Sequence, residues 1–140
     1  MHLYIIRHTP VTIAGGTCYG SSDVDLTPNW PEHLDRIRTK LPLQDIHGDN
    51  LYSSPLSRCA TLAQALGPVP RFDDRLKEMD YGDWEGQPWT DIDAAQRDAW
   101  LRNLECYRTP NGESLGDVYR RSIQCIEEIA GRDHEVAFVI

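Results

Sequence analysis

Long apolar segments are missing from this chain. The longest unbroken apolar run is Val136-Ala137-Phe138-Val139-Ile140, far short of the roughly 20 residues that a helix needs to cross a bilayer. The start, Met1-His2-Leu3-Tyr4-Ile5-Ile6-Arg7, has no basic region ahead of its apolar one and no small-residue cleavage site, so it does not read as a secretory leader. Positive charge is also scarce: 14 Lys+Arg stand against 22 Asp+Glu, a net charge of −8. That argues against nucleic acid as a partner, because such binding draws on clustered cations to neutralise phosphates. Any phosphate must be captured by a local group of cations against a repulsive overall field. The four cysteines, Cys18, Cys59, Cys106 and Cys125, form no C-x-x-C pair. They read as reduced thiols of a cytoplasmic protein, Cys59 and Cys125 as small core residues. Metal-ligand spacing is absent as well: His2, His33, His47 and His134 are scattered and read as surface or structural histidines.

What is present fits one globular domain over residues 1–140, long enough to bury about two-thirds of its unfolded surface without a staple. His2–Arg7 reads as a short buried strand and Thr9–Pro31 as a long loop, a kind that is often functional. A helix is predicted over Pro31–Leu41 and a strand over Asn50–Ser53. Ser54 then offers an N-cap with Pro55 at the first helical position. The spacing of Leu56, Cys59, Ala60 and Ala63 continues that helix to Gly67. A short strand at Arg71–Phe72, an irregular stretch Lys77–Pro88 and a polar helix over Trp89–Leu104 follow. Ser114 and Asp117 form a capping box opening a helix that should bury Leu115, Val118, Tyr119, Ile126 and Ile129. A strand, Glu135–Ile140, comes last. Alternating strands and helices predict an α/β domain, three-layered α/β/α with a largely parallel sheet.

Three elements carry chemistry. Arg7-His8 stands at the C-terminal end of the first strand, where ligands bind in open α/β sheets. A histidine there can attack phosphorus, and a guanidinium can hold non-bridging oxygens. By themselves the two residues more often mean a loop histidine beside a surface arginine. Ser53-Ser54-Pro55-Leu56-Ser57-Arg58 places a helix N-terminus at another strand end, with amides and dipole facing any bound anion and Arg58 in the first turn. An exposed helix arginine is the plainer alternative. Leu76-Lys77-Glu78-Met79-Asp80-Tyr81-Gly82-Asp83-Trp84-Glu85-Gly86 sets carboxylates in a loop with glycine and aromatics. One buried carboxyl there could stay protonated and donate to a leaving oxygen, although solvated turn acids are commoner.

In this order and spacing, and with Gly112-Glu113-Ser114, the chain resembles the histidine phosphatase superfamily, the phosphoglycerate-mutase-like branch, over essentially its whole length. Within it the likeness is strongest to α-ribazole phosphatases of cobalamin synthesis, through Arg7-His8-Thr9 and the loop Cys18–Leu26. The resemblance implies that His8 becomes phosphorylated, that Arg7 and Arg58 bind the phosphoryl oxygens, and that Glu78 protonates the leaving group and then activates water. It implies no metal and no cofactor, and a small phosphorylated metabolite as partner. It also implies a second histidine directly after the last strand, in a Thr-His-Gly context, followed by a helix. The sequence has no histidine after His134, so the expectation is a C-terminally incomplete domain with one phosphoryl donor fewer, worth on the order of 10²–10³ in rate. One face of the sheet should then be uncovered and the apolar terminus exposed. A phosphoglycerate mutase, a broad-specificity phosphatase and a non-catalytic phosphate-binding remnant are the alternatives.

Overall fold

A computed structural model describes residues 1–140. Four strands, β1 (His2–Ile5), β2 (Leu51–Ser53), β3 (Arg71–Phe72) and β4 (Val136–Val139), form one sheet in the order β1-β4-β2-β3. Every pairing is parallel. Four α-helices accompany it: α1 (Trp30–Arg38), α2 (Ser57–Leu66), α3 (Ala94–Arg102) and α4 (Leu115–Ala130). The predicted α/β class and parallel sheet are therefore what the chain adopts.

Side chains alternate across the sheet and build a core on each face. On one face Leu51 and Phe138 join Leu34 of α1 and Cys59, Leu62 and Ala63 of α2. On the other, Tyr52, Ala137 and Val139 pack on Cys125 and Ile129 of α4. β4 is apolar throughout because it is a central strand covered on both sides.

That position corrects one expectation. The C-terminal Phe138, Val139 and Ile140 are buried, and Ile140 donates its amide to Tyr52 and accepts from Ser54. The apolar strand side chains left uncovered lie on the two edge strands, Ile5 of β1 at 78% exposed and Phe72 of β3 at 47%. Three helix readings also change. α2 begins at Ser57, not at Pro55, because the Leu56 amide is taken by Ser54 Oγ and the Ser57 amide by Asp23. The helix expected from Trp89 begins at Ala94, where Asp93 accepts the Gln96 amide. On α4 the inward residues include Cys125 and Ile129, while Leu115 and Tyr119 face out.

Candidate active site

All strands being parallel, the residues that follow β1 and β2 emerge at the same edge of the sheet. Ile6 still pairs with Val139; Arg7 and His8 come next, and the turn after β2 leads into α2, whose second residue is Arg58. The loop after β3 brings Glu78 to the same place. Arg7, His8, Arg58 and Glu78 thus line one cavity of about 210 Å³, together with Thr17, Tyr19, Tyr81 and Trp89. The four residues singled out in the sequence meet. The three aromatic walls were not anticipated, though Tyr19 and Tyr81 lie inside the two loops that carried the resemblance.

His8 is half-buried, and its Nδ1 lies 2.8 Å from the carbonyl oxygen of Thr9. A carbonyl only accepts, so Nδ1 carries the proton and, in the neutral ring, Nε2 keeps its lone pair. Burial pushes the His8 pKa below its ordinary value against the Thr9 bond, and the charges of Arg58 and Arg7 push the same way, opposed by Glu78. The ring is therefore held neutral and nucleophilic near pH 7.

Arg58 is 2% exposed. Its Nη1 donates to the carbonyl of Ser22 at 2.9 Å and its Nη2 to that of Gly20 at 2.6 Å. Its guanidinium carbon sits 5.5 Å from the centre of the Tyr19 ring. Two of the five N–H groups are thus engaged with backbone, and the buried Nε has no partner in the protein. Such a cation is fixed in direction and still has donors to offer. The amides of Leu56 and Ser57, which the sequence offered to an anion, are already occupied. Anion capture at this corner therefore rests on the guanidinium.

Glu78 is exposed rather than the buried carboxyl expected of its segment. It also lines a neighbouring polar groove of about 450 Å³ with Ser21, Asp74, Lys77, Asp80, Glu113 and Arg121, so it stands between the cavity and an open approach for water. The half-buried acids of the segment are Asp80 and Glu85, and backbone amides converge on the second, Glu85. Burial would raise its pKa, but bonds from Ser22 and from the amides of Tyr81, Gly20 and Ser21 outweigh that and hold it ionised. The Glu78 loop is clamped from α4: Arg121 donates to the carbonyls of Arg75 (2.8 Å) and Glu78 (3.1 Å) and pairs with Glu113 at 2.8 Å. Glu113 in turn accepts the Asp80 amide at 2.9 Å. Tyr81 is pushed up to about 12, by burial first and then by Glu78, Cys18 and Glu85, so its hydroxyl stays a neutral donor. No cluster of His, Cys, Asp and Glu is placed to hold a metal ion, and no helix is long and apolar enough to cross a membrane.

The chain is similar to several known phosphatases. The chain is 31% identical over 159 residues to a glucosyl-3-phosphoglycerate phosphatase of Mycolicibacterium vanbaalenii, covering 98% of this chain and 67% of that protein. It is 26% identical over 150 residues to phosphoserine phosphatase 1 of Hydrogenobacter thermophilus, covering 99% and 68%. Among solved structures, an α-ribazole phosphatase from Shigella flexneri superposes with a TM-score of 0.82 at 25% identity, covering 99% of this chain and 72% of that one. Residues 3–140 match the pattern of a single family throughout. The chain belongs to the histidine phosphatase superfamily, branch 1.

Proposed function

We propose that the chain hydrolyses phosphomonoesters through a phosphohistidine on His8. The observation that carries this is the His8 ring itself: neutral, with Nδ1 spent on Thr9, in a cavity shared with two guanidiniums and a carboxylate. Nε2 attacks phosphorus, forming the N–P bond as the bond to the ester oxygen breaks. Glu78, entering this step as the protonated carboxyl, gives its proton to the departing oxygen and becomes a carboxylate, and the alcohol leaves. Glu78 then takes a proton from water, whose oxygen attacks phosphorus and releases phosphate and neutral His8. Arg7 and the free donors of Arg58 hold the three equatorial oxygens, where charge accumulates in a loose transition state.

The substrate reading is α-ribazole 5′-phosphate, hydrolysed to α-ribazole. Two observations support it over phosphoserine or a phosphoglycerate. Tyr19, Tyr81 and Trp89 offer ring edges and faces to the planar base that the leaving nucleoside carries. Arg7 and Arg58 are the cations of the cavity lining, which leaves a second anionic group such as a carboxylate without a counter-charge once they hold phosphate.

The test is rapid-quench trapping of acid-labile phosphate on the protein, beside turnover of α-ribazole 5′-phosphate, phosphoserine and 3-phosphoglycerate. Label on the protein that disappears in His8→Ala, with α-ribazole 5′-phosphate turned over fastest, is expected. Turnover undiminished in His8→Ala would overturn the mechanism. Faster turnover of phosphoserine would overturn the substrate, and phosphate binding without turnover would point to a non-catalytic binder.

A further inference from the structure

Glu85 lies outside the cavity lining, yet four backbone amides converge on its carboxylate. Oε2 accepts from Gly20 at 3.0 Å and Ser22 at 3.3 Å, and Oε1 from Ser21 and Tyr81, both at 3.0 Å. The same short loop faces Arg58 from its other side through the carbonyls of Gly20 and Ser22. One peptide unit makes both contacts. The amide of Ser21 points at Glu85 while the carbonyl of Gly20, its partner in that peptide group, accepts from Arg58 Nη2 at 2.6 Å. The order is carboxylate, N–H, C=O, guanidinium: aligned dipoles between opposite charges, each bond polarising the next.

We propose that Glu85 is a positioning residue for the phosphate-holding guanidinium of Arg58, acting through the backbone of Gly20–Ser22. The inference rests on the reading of Arg58 as a phosphate ligand. It explains why a buried arginine with a free Nε keeps one direction: two carbonyls of a loop that a carboxylate immobilises hold its fork. It also explains the glycine at position 20. A Cβ there would stand 1.9 Å from the Met79 carbonyl oxygen and 2.8 Å from the Tyr81 ring. The loop could not then lie against the segment that carries Glu85.

The test compares Glu85→Gln, Arg58→Met and the double variant. The readouts are affinity for inorganic phosphate, kcat and KM for p-nitrophenyl phosphate, and thermal stability. A glutamine keeps one acceptor and turns a donor toward the amides. A misplacement of about 1 Å in a phosphate ligand costs tenfold to a hundredfold, so Glu85→Gln should weaken phosphate binding and lower kcat by about that much. In the Arg58→Met background the same change should add almost nothing to either loss. A merely structural Glu85 would lower the melting temperature in both backgrounds without this non-additivity.

Unchanged phosphate affinity in a folded Glu85→Gln, beside a clear loss in Arg58→Met, would overturn the relay alone. So would losses that multiply fully in the double variant. Unchanged affinity in Arg58→Met would overturn the reading of Arg58 and the relay with it. If Glu85→Gln does not fold, Glu85→Asp carries the same comparison, since it keeps the charge but is one methylene too short to hold all four amides.

Discussion

Replacing Arg121 by methionine tests the clamp on the Glu78 loop. The side chain is 19% exposed and its partner Glu113 25%, so this pair is screened far less than a surface bridge. Arg121 donates through Nε and Nη2 to both oxygens of Glu113, at 2.9 and 2.8 Å, and to the carbonyls of Arg75, Lys77 and Glu78. Methionine keeps most of the apolar stem and removes every one of these bonds. A hydrogen bond to a charged group is worth about 1.5–3 kcal/mol, and truncating one member of a buried pair costs about 3–5. Discounting for the residual exposure gives a loss of about 3 kcal/mol. At about 4 °C per kcal/mol for a chain of this size, the melting temperature should fall by about 12 °C. Urea unfolding should show a lower midpoint with an unchanged slope. The loss depends on pH through Glu113. Burial raises its pKa, but bonding from Arg121 and from the Asp80 amide more than offsets this and leaves it below the ordinary 4.5. A folded-state pKa so depressed gives stability that is full above the unfolded value and disappears as pH falls through the folded one. The cost of Arg121→Met should therefore be largest near pH 7 and shrink on the acid side. A loss under about 0.5 kcal/mol, or the same loss at every pH, would refute the reasoning.

Other outcomes follow from the same geometry. Because burial first, and then Arg58 and Arg7, depress the His8 pKa, turnover should stay high from neutral pH downward and fall with a midpoint below 6.5. Arg58→Met removes a repelling charge and should move that midpoint up, as read by a pH–rate profile or an NMR titration of His8; an unmoved midpoint would count against it. Gly82 has φ of +56°, and a Cβ there would stand 2.1 Å from the Pro110 carbonyl oxygen and 2.6 Å from backbone atoms of Asn111 and Gly112. Gly82→Ala should cost more than about 2 kcal/mol in thermal unfolding, whereas Gly86→Ala, with φ of +78° and open space around it, should cost about 1. Ser114 Oγ accepts the Asp117 amide, and the Asp117 carboxylate accepts the Ser114 amide in return. Ser114→Ala should lower stability by about 1 kcal/mol in the same assay.

Where the sequence misled, the cause was a partner far along the chain. Ser54-Pro55 has every local mark of a helix start, but Asp23, 34 residues earlier, reaches the Ser57 amide at 2.7 Å and moves the start. Trp89 looked like the head of a helix; instead it stacks on Trp100 and meets Tyr81 and Trp84 edge-on, leaving Asp93 to cap what remains. The spacing of Leu115 and Tyr119 suggested burial, yet the helix turns its Cys125–Ile129 stripe to the sheet. Strand class, by contrast, was legible. Val136–Val139 is apolar at every position, as a strand covered on both faces must be. That Arg7, His8, Arg58 and Glu78 come together was legible because strand ends and the loops after them carry these residues, whereas the exposure of Glu78 was not. Glu85 was visible as a carboxylate in a loop, but nothing local disclosed that its partners are the amides of residues 20–22.

The excess of negative charge acquires a structural meaning from those partners. The proposed capture of phosphate by an acidic chain is reconciled once the acids near the cavity are followed to what they hold. Glu85 takes four amides, Glu113 the Asp80 amide, Asp23 the Ser57 amide and Asp80 the Gly82 amide. Each is spent on the backbone of the loops that surround His8. A carboxylate accepting amide bonds has its charge met locally, so its field at the cavity is weakened. Arg7 and Arg58 can then dominate the cavity although the chain as a whole carries −8. Arg58, moreover, has its own fork held by two carbonyls instead of by a carboxylate. Carbonyl dipoles orient the guanidinium without neutralising it, so in the mechanism proposed above its full charge is left for the phosphoryl group.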